Sequence, residues 1–109
     1  MSMLSIIASM RNEYKFDLII NKRLISKVII DQHYGEKHSD IINDELILDL
    51  LKKIDNSFYP SIVKDDDFEY FKAEPVVLDD DPYRLIFLLY LKEDILGVIN
   101  CFRVPRSKV

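Results

Sequence analysis

The sequence predicts an α+β domain: a mostly antiparallel sheet packed on one amphipathic helix, with a short N-terminal helix. Two observations carry this. One stretch, Ile42 to Ile54, repeats its apolar residues at helical spacing. Around it lie short runs with strand character, bounded by turn residues, in the order helix, hairpin, helix, three-strand meander.

The elements follow in order. Met3, Ile6, Ile7 and Met10 recur at helical spacing with Leu4 beside them, so residues 1–12 are expected to hold a short helix with Ser2 as a candidate cap. Its apolar face needs the core or a partner to cover it. From Lys15 the pattern turns to strands, 15–20 and 23–30, with Asn21-Lys22 as a two-residue turn because Asn tolerates positive φ. Residues 31–40 are polar and contain Gly35, which reads as a loop or helical turn. The helix over about 43–55 buries Ile42, Leu46, Ile47, Leu50, Leu51 and Ile54, and Asn43 or Asp44 can cap it. Asp44 and Glu45 suit its positive end, Lys52 and Lys53 its negative end.

A long polar connection, 55–67, contains Pro60. Strands are then expected from Phe68 to Lys72, running on toward Val77 past Pro75, then over 83–91 and 95–104. Pro75 belongs at an edge or a bend. The last two strands are apolar on both parities, which places them centrally, covered on both faces. The helix can cover one face; the N-terminal helix or a second copy must cover part of the other. Residues 105–109 form an exposed basic tail.

At 109 residues, 49% hydrophobic and 31% charged, the chain reads as a single domain able to bury one core without staples. A single cysteine, Cys101, excludes a disulfide framework and a cysteine-based zinc site. That suits a reducing, cytoplasmic setting. MSMLSIIASM lacks a basic leader and is too short to span a bilayer, so no membrane association is expected. With only two glycines and no Gly-rich phosphate loop, nucleotide binding of that kind is excluded. The net charge of −4 argues against general nucleic-acid binding, though not against a local basic pocket.

Three groups can carry chemistry. Both histidines, His33 and His38, stand with Lys37 just ahead of the central helix. Two histidines can divide base and acid roles while a lysine steadies a developing anion. Their ordinary reading is an exposed loop or a capping device. As zinc ligands they are poor, since an i, i+5 spacing does not share a helical face. Second come Asn100 and Arg103 in INCFRV with Arg84 on the neighbouring strand. Arg suits a planar phosphate clamp. Asn100 and Arg103 have opposite parity, so a bulge is needed to aim both at one point. Their ordinary reading is a strand end in solvent and a filled sheet-edge hydrogen bond. Third, the triplets Asp65-Asp66-Asp67 and Asp79-Asp80-Asp81 have no metal-loop spacing and read as solvated turns. Cys101 reads as a buried, inert thiol.

The segments IIDQHYGEKHSDIINDELI, YRLIFLLYL and GVINCFR, spanning Val28 to Arg103, resemble the small ribonuclease toxins of the barnase/EndoU/colicin/RelE-like (BECR) superfamily, in its phage- and toxin-system branches. The resemblance implies an endoribonuclease, an RNA-binding hydrolase that needs no metal or cofactor and acts by attack of a ribose 2′-OH on its phosphate. On that scheme His33 and His38 are base and acid, in unassigned order. Lys37 and Arg103 clamp the phosphate, with Arg84 beside them. Asn100 orients the substrate, and Tyr34 or Phe102 stacks on a base. The implied partners are RNA, as messenger, transfer or ribosome-associated RNA, and a cognate antitoxin or immunity protein; a homodimer through MLSIIASM is a further candidate. The rival reading is a non-catalytic, acidic immunity or antitoxin-like binding protein, supported by a pI of 5.1 and the two aspartate runs.

Overall fold

Alternating side chains open the described chain as a hairpin. A computed structural model describes residues 11–31 and 42–105. In it β1 (Arg11–Ile20) pairs antiparallel with β2 (Arg23–Asp31). Asn21 and Lys22 have φ of 52° and 65°, the positive values that a two-residue hairpin turn needs. The Asn21 side chain also accepts from the Tyr59 N–H at 2.7 Å and donates to its carbonyl at 2.9 Å, so the turn is tied to a later segment. Arg11 and Asn12 pair with Asp31 and Ile30. This corrects the expected helix at its end: those two residues are strand. The rest of the expected N-terminal helix, residues 1–10, lies outside the described residues.

The central helix forms as its spacing predicts. It is α1, Asp44–Ile54. Asn43 caps it from extended backbone, its Oδ1 accepting from the Leu46 N–H at 2.8 Å. Ile42, Ile47, Leu50, Leu51 and Ile54 are buried. At its C-terminal side the chain turns back along β1. Asp55 Oδ1 accepts from the Ile19 N–H at 2.7 Å, and the Asn56 N–H donates to the Ile19 carbonyl at 2.7 Å. Part of an otherwise open edge strand is thereby paired.

Four further strands complete the sheet: β3 (Val63–Lys64), β4 (Phe68–Leu78), β5 (Asp81–Tyr90) and β6 (Ile95–Arg103). The order across it is β1-β2-β6-β5-β4-β3. The fold is α+β with a mostly antiparallel sheet, as expected, and β5 and β6 are central. One pairing is parallel: Lys27–Ile30 of β2 lies beside Ile95–Val98 of β6. β3 falls inside the connection read as 55–67; two residues are too few to show an alternation.

The acidic triplets lie at turns, although Asp81 is already the first residue of β5. Asp79 and Asp80, at φ of 52° and 69°, link β4 to β5. Asp65 Oδ1 accepts from the N–H groups of Asp67 and Phe68, each at 2.8 Å. Pro75 sits at both an edge and a bend. The register shifts between Ala73 and Val76, and β3 reaches β4 only at Glu69 and Tyr70. The ladder therefore needs no N–H from Pro75.

The core lies between α1 and one face of the sheet. Leu18, Ile20, Ile25, Val28 and Ile30 meet Phe71, Leu85, Phe87, Leu96 and Cys101 there. Phe71 stacks on Phe87 with centroids 5.3 Å apart, and Tyr59 meets Phe87 edge-on at 6.0 Å. On the opposite face Ile29, Ile86, Leu88, Tyr90, Ile99 and Phe102 are partly exposed. Among the described residues no helix lies over them.

Candidate functional site

One end of the sheet holds Arg103 and the points where the chain leaves and re-enters the described residues around the histidine segment. β1 begins there at Arg11, opposite Asp31, where β2 ends. β6 runs parallel to β2 and continues past it, from Asn100 to Arg103. β5 begins beside that extension, Tyr83 facing Arg103. The N-terminus of α1 is held at the same end. Tyr14 Oη donates to Asp44, and Asn12 Nδ2 donates to the same carboxylate oxygen at 2.8 Å. The C-terminal ends of a parallel strand pair and a helix N-terminus thus converge.

His33, Tyr34, Lys37 and His38 lie outside the described residues. Their segment leaves the sheet at Asp31 and rejoins the described chain at Ile42, ahead of α1.

The three described candidates are divided. Arg103 stands at this end, 46% exposed, and donates through Nη2 to Asp81 Oδ1 at 2.5 Å. Arg84 gives its fork to Glu74 instead, Nε to Oε1 at 2.5 Å and Nη2 to Oε2 at 2.8 Å. Its guanidinium also lies 4.9 Å from the centre of the Phe102 ring. The hydrogen bonds to Glu74 hold its pKa above the ordinary arginine value. Its Nε–Nη2 edge is therefore taken by Glu74, which leaves the other edge of the guanidinium. Asn100 Oδ1 accepts from the Cys101 N–H at 2.8 Å. The pairing of β6 with β2 stops at Val98, and Asn100 serves a backbone donor just beyond it.

The bulge that would align Asn100 with Arg103 is not between them. Ile86 pairs with Asn100 and Phe87 with Val98, which leaves Ile99 as the extra residue. Beyond it the parity is regular. Asn100 and Phe102 share the helix-free face with Arg84, and Arg103 takes the parity of buried Cys101. The two take opposite faces, as their parity predicts in the absence of a bulge between them.

Sequence reasoning missed the Asn12–Tyr14–Asp44 cluster. It adjoins a groove of about 370 Å³ between β1 and α1, lined by Phe16, Glu45, Leu48 and Asp49 among others. Tyr14 shares the parity of Phe16 and Leu18, so period-two alternation was the signal that could have found it. Its hydrogen bond to Asp44 raises its pKa, which keeps the phenol protonated at neutral pH. The cluster docks the helix terminus on β1. Cys101 is fully buried, and desolvation pushes its thiol up to about 12, so it is no nucleophile. Among the described residues no group of three or more His, Cys, Asp or Glu side chains is placed to hold a metal, and no helix is long and apolar enough to cross a membrane. Compared with protein-family models, curated proteins and solved structures, the chain finds no match.

Proposed function

We propose that the protein is a toxin-type, metal-independent endoribonuclease. The observation that supports this best is topological. The segment bearing His33, Lys37 and His38 leaves and re-enters the described chain at the sheet end where Arg103 stands. That end joins a helix N-terminus to the C-terminal ends of parallel strands, and both are favourable places for an anionic ligand.

One histidine takes the proton of a ribose 2′-OH. The 2′-oxygen bonds to phosphorus as the bond to the 5′-oxygen breaks, and the other histidine protonates that leaving oxygen. The products are a 2′,3′-cyclic phosphate and a free 5′-OH. Lys37 and Arg103 oppose the charge added at phosphorus, and Tyr34 offers a stacking surface. Arg84, one edge of which Glu74 holds, is the weaker member of the clamp. Asn100, whose carbonyl oxygen is engaged with Cys101, keeps only its amide donor for substrate.

The test uses the full chain with cellular RNA in excess EDTA. Cleavage leaving cyclic phosphate ends is expected. His33→Ala and His38→Ala should each lose about 10²–10⁴-fold in rate, the usual worth of an acid or base. Arg103→Ala should lose less. Absence of cleavage by the native chain sinks the proposal.

A second reading, an acidic binding protein of the immunity or antitoxin kind, is favoured by a separate observation. Both described candidate arginines are already neutralised, Arg84 by Glu74 and Arg103 by Asp81. It expects an inactive native chain that forms a stoichiometric complex with a basic nuclease and inhibits it.

A further inference from the structure

We infer that the chain's own residues 1–10 dock across the helix-free face of the sheet and form its second covering layer. This inference is independent of the proposed activity.

The face has the chemistry of an interface. Ile29, Ile86, Leu88, Ile99 and Phe102 project from three adjacent strands, and all are partly exposed among the described residues. Its middle is hollow. A cavity of about 90 Å³ is bounded by Ile29, Leu88, Tyr90, Gly97 and Ile99, with Arg11 and Asp31 at its rim. Gly97 forms the floor. A Cβ there would stand 3.2 Å from Leu88 Cδ1 and in ordinary contact, 3.7 Å, with the Tyr90 ring, so the glycine lets Leu88 lie close over the strand. Scattered single apolar side chains need no explanation, but a contiguous apolar patch with a depression at its centre does.

The occupant follows from where the chain goes. Arg11 is the first residue of β1 and itself lines the cavity, so residue 10 is attached at its rim. The ten residues before it, MSMLSIIASM, place Met3, Ile6, Ile7 and Met10 at helical spacing and put Ser2, Ser5 and Ser9 on the other side. As a helix, ten residues span about 15 Å. Four adjacent strands span about 14 Å. A helix this short is not stable alone in water and needs a surface. The tether is zero residues long, so the segment's effective concentration at this face exceeds that of any second copy.

The test is paramagnetic relaxation on the full chain. Ser5→Cys is nitroxide-labelled; Cys101, fully buried with its thiol raised to about 12, stays unlabelled in the native protein. Ser2→Cys is the second site, in case the first disturbs folding. Broadening of the Ile29, Leu88, Gly97 and Ile99 amides, with those of Leu50 and Leu51 spared, is expected when label and isotope are on one molecule. The same broadening in a mixture of labelled, isotope-free protein with unlabelled, isotope-enriched protein would assign the face to a second copy and overturn the inference. So would broadening confined to the α1 face, or none in the sheet.

Discussion

The Ser26 hydroxyl donates to Asp94 across 68 residues of sequence. That bond, then the residue's own backbone N–H and then Lys27 nearby, hold the Asp94 carboxyl below its ordinary range. A carboxyl whose folded value is depressed stabilises the fold at pH above its unfolded value, about 4, and loses that contribution as pH falls through the folded value. Asp94→Asn should therefore be less stable than the native chain at pH 6. The gap should narrow as pH falls below the unfolded value of about 4, read from urea midpoints. Tyr14 carries the opposite sign. Its bond to Asp44 raises its folded value, so its contribution is present below about 10 and lost as pH climbs through that raised value. Tyr14→Phe should flatten part of the alkaline decline between about pH 9 and 11. Tyr59 and Tyr83, also raised by burial, keep the remainder in both proteins. Neither interaction was legible in the sequence. Each joins residues 30 or more apart, and neither side chain's environment is encoded by its neighbours.

Local signals set the elements well where a residue's neighbours decide its state. The helix was legible because Ile47, Leu50, Leu51 and Ile54 follow the 3.6-residue period and Asn43 stands where a cap belongs. Two substitutions separate those causes. Leu50→Ala removes a fully buried side chain and should cost about 2–5 kcal/mol. Asn43→Ala removes one hydrogen bond to the Leu46 N–H and should cost about 1 kcal/mol. Chemical denaturation measures both, and a cap variant as costly as the core variant would contradict this division. The hairpin and the Asp79-Asp80 turn were legible for the same local reason. What escaped was non-local. The parallel seam of β2 with β6 is a contact between distant segments, and β3 exists only because Tyr70 and Glu69 meet it. The bulge at Ile99 escaped too; the opposite facing of Asn100 and Arg103 did not, since it follows from their odd spacing along a regular strand.

At the scale of the whole molecule the charge distribution limits how RNA can be held. The net charge is −4, and acidic turns stand at both ends of the sheet, at Asp65–Asp67 and at Asp79–Asp81. A long electrostatic track is ruled out by such a surface, so the proposed activity has to rest on a few contacts at one end. Among the described residues Arg11 and Arg103 are the cations at that end, and the proposed mechanism adds Lys37 and one protonated histidine. Each neutralised phosphate on a single strand contributes about −0.7 to the slope of log K against log salt. Four contacts therefore set a limit near −3 for binding of a non-cleavable 2′-deoxy oligonucleotide, measured by fluorescence anisotropy from about 50 to 200 mM salt. Arg103→Ala should make that slope shallower by about 0.7. Asp81 competes for the same guanidinium at 2.5 Å, so Asp81→Asn should tighten binding, and it should do so only when Arg103 is present. If Asp81→Asn and Arg103→Ala both leave affinity and slope unchanged, Arg103 touches no phosphate and the site shrinks to the histidine segment. A native slope much steeper than −3 would instead require cations elsewhere on the surface, and the sheet end would lose its claim to the substrate.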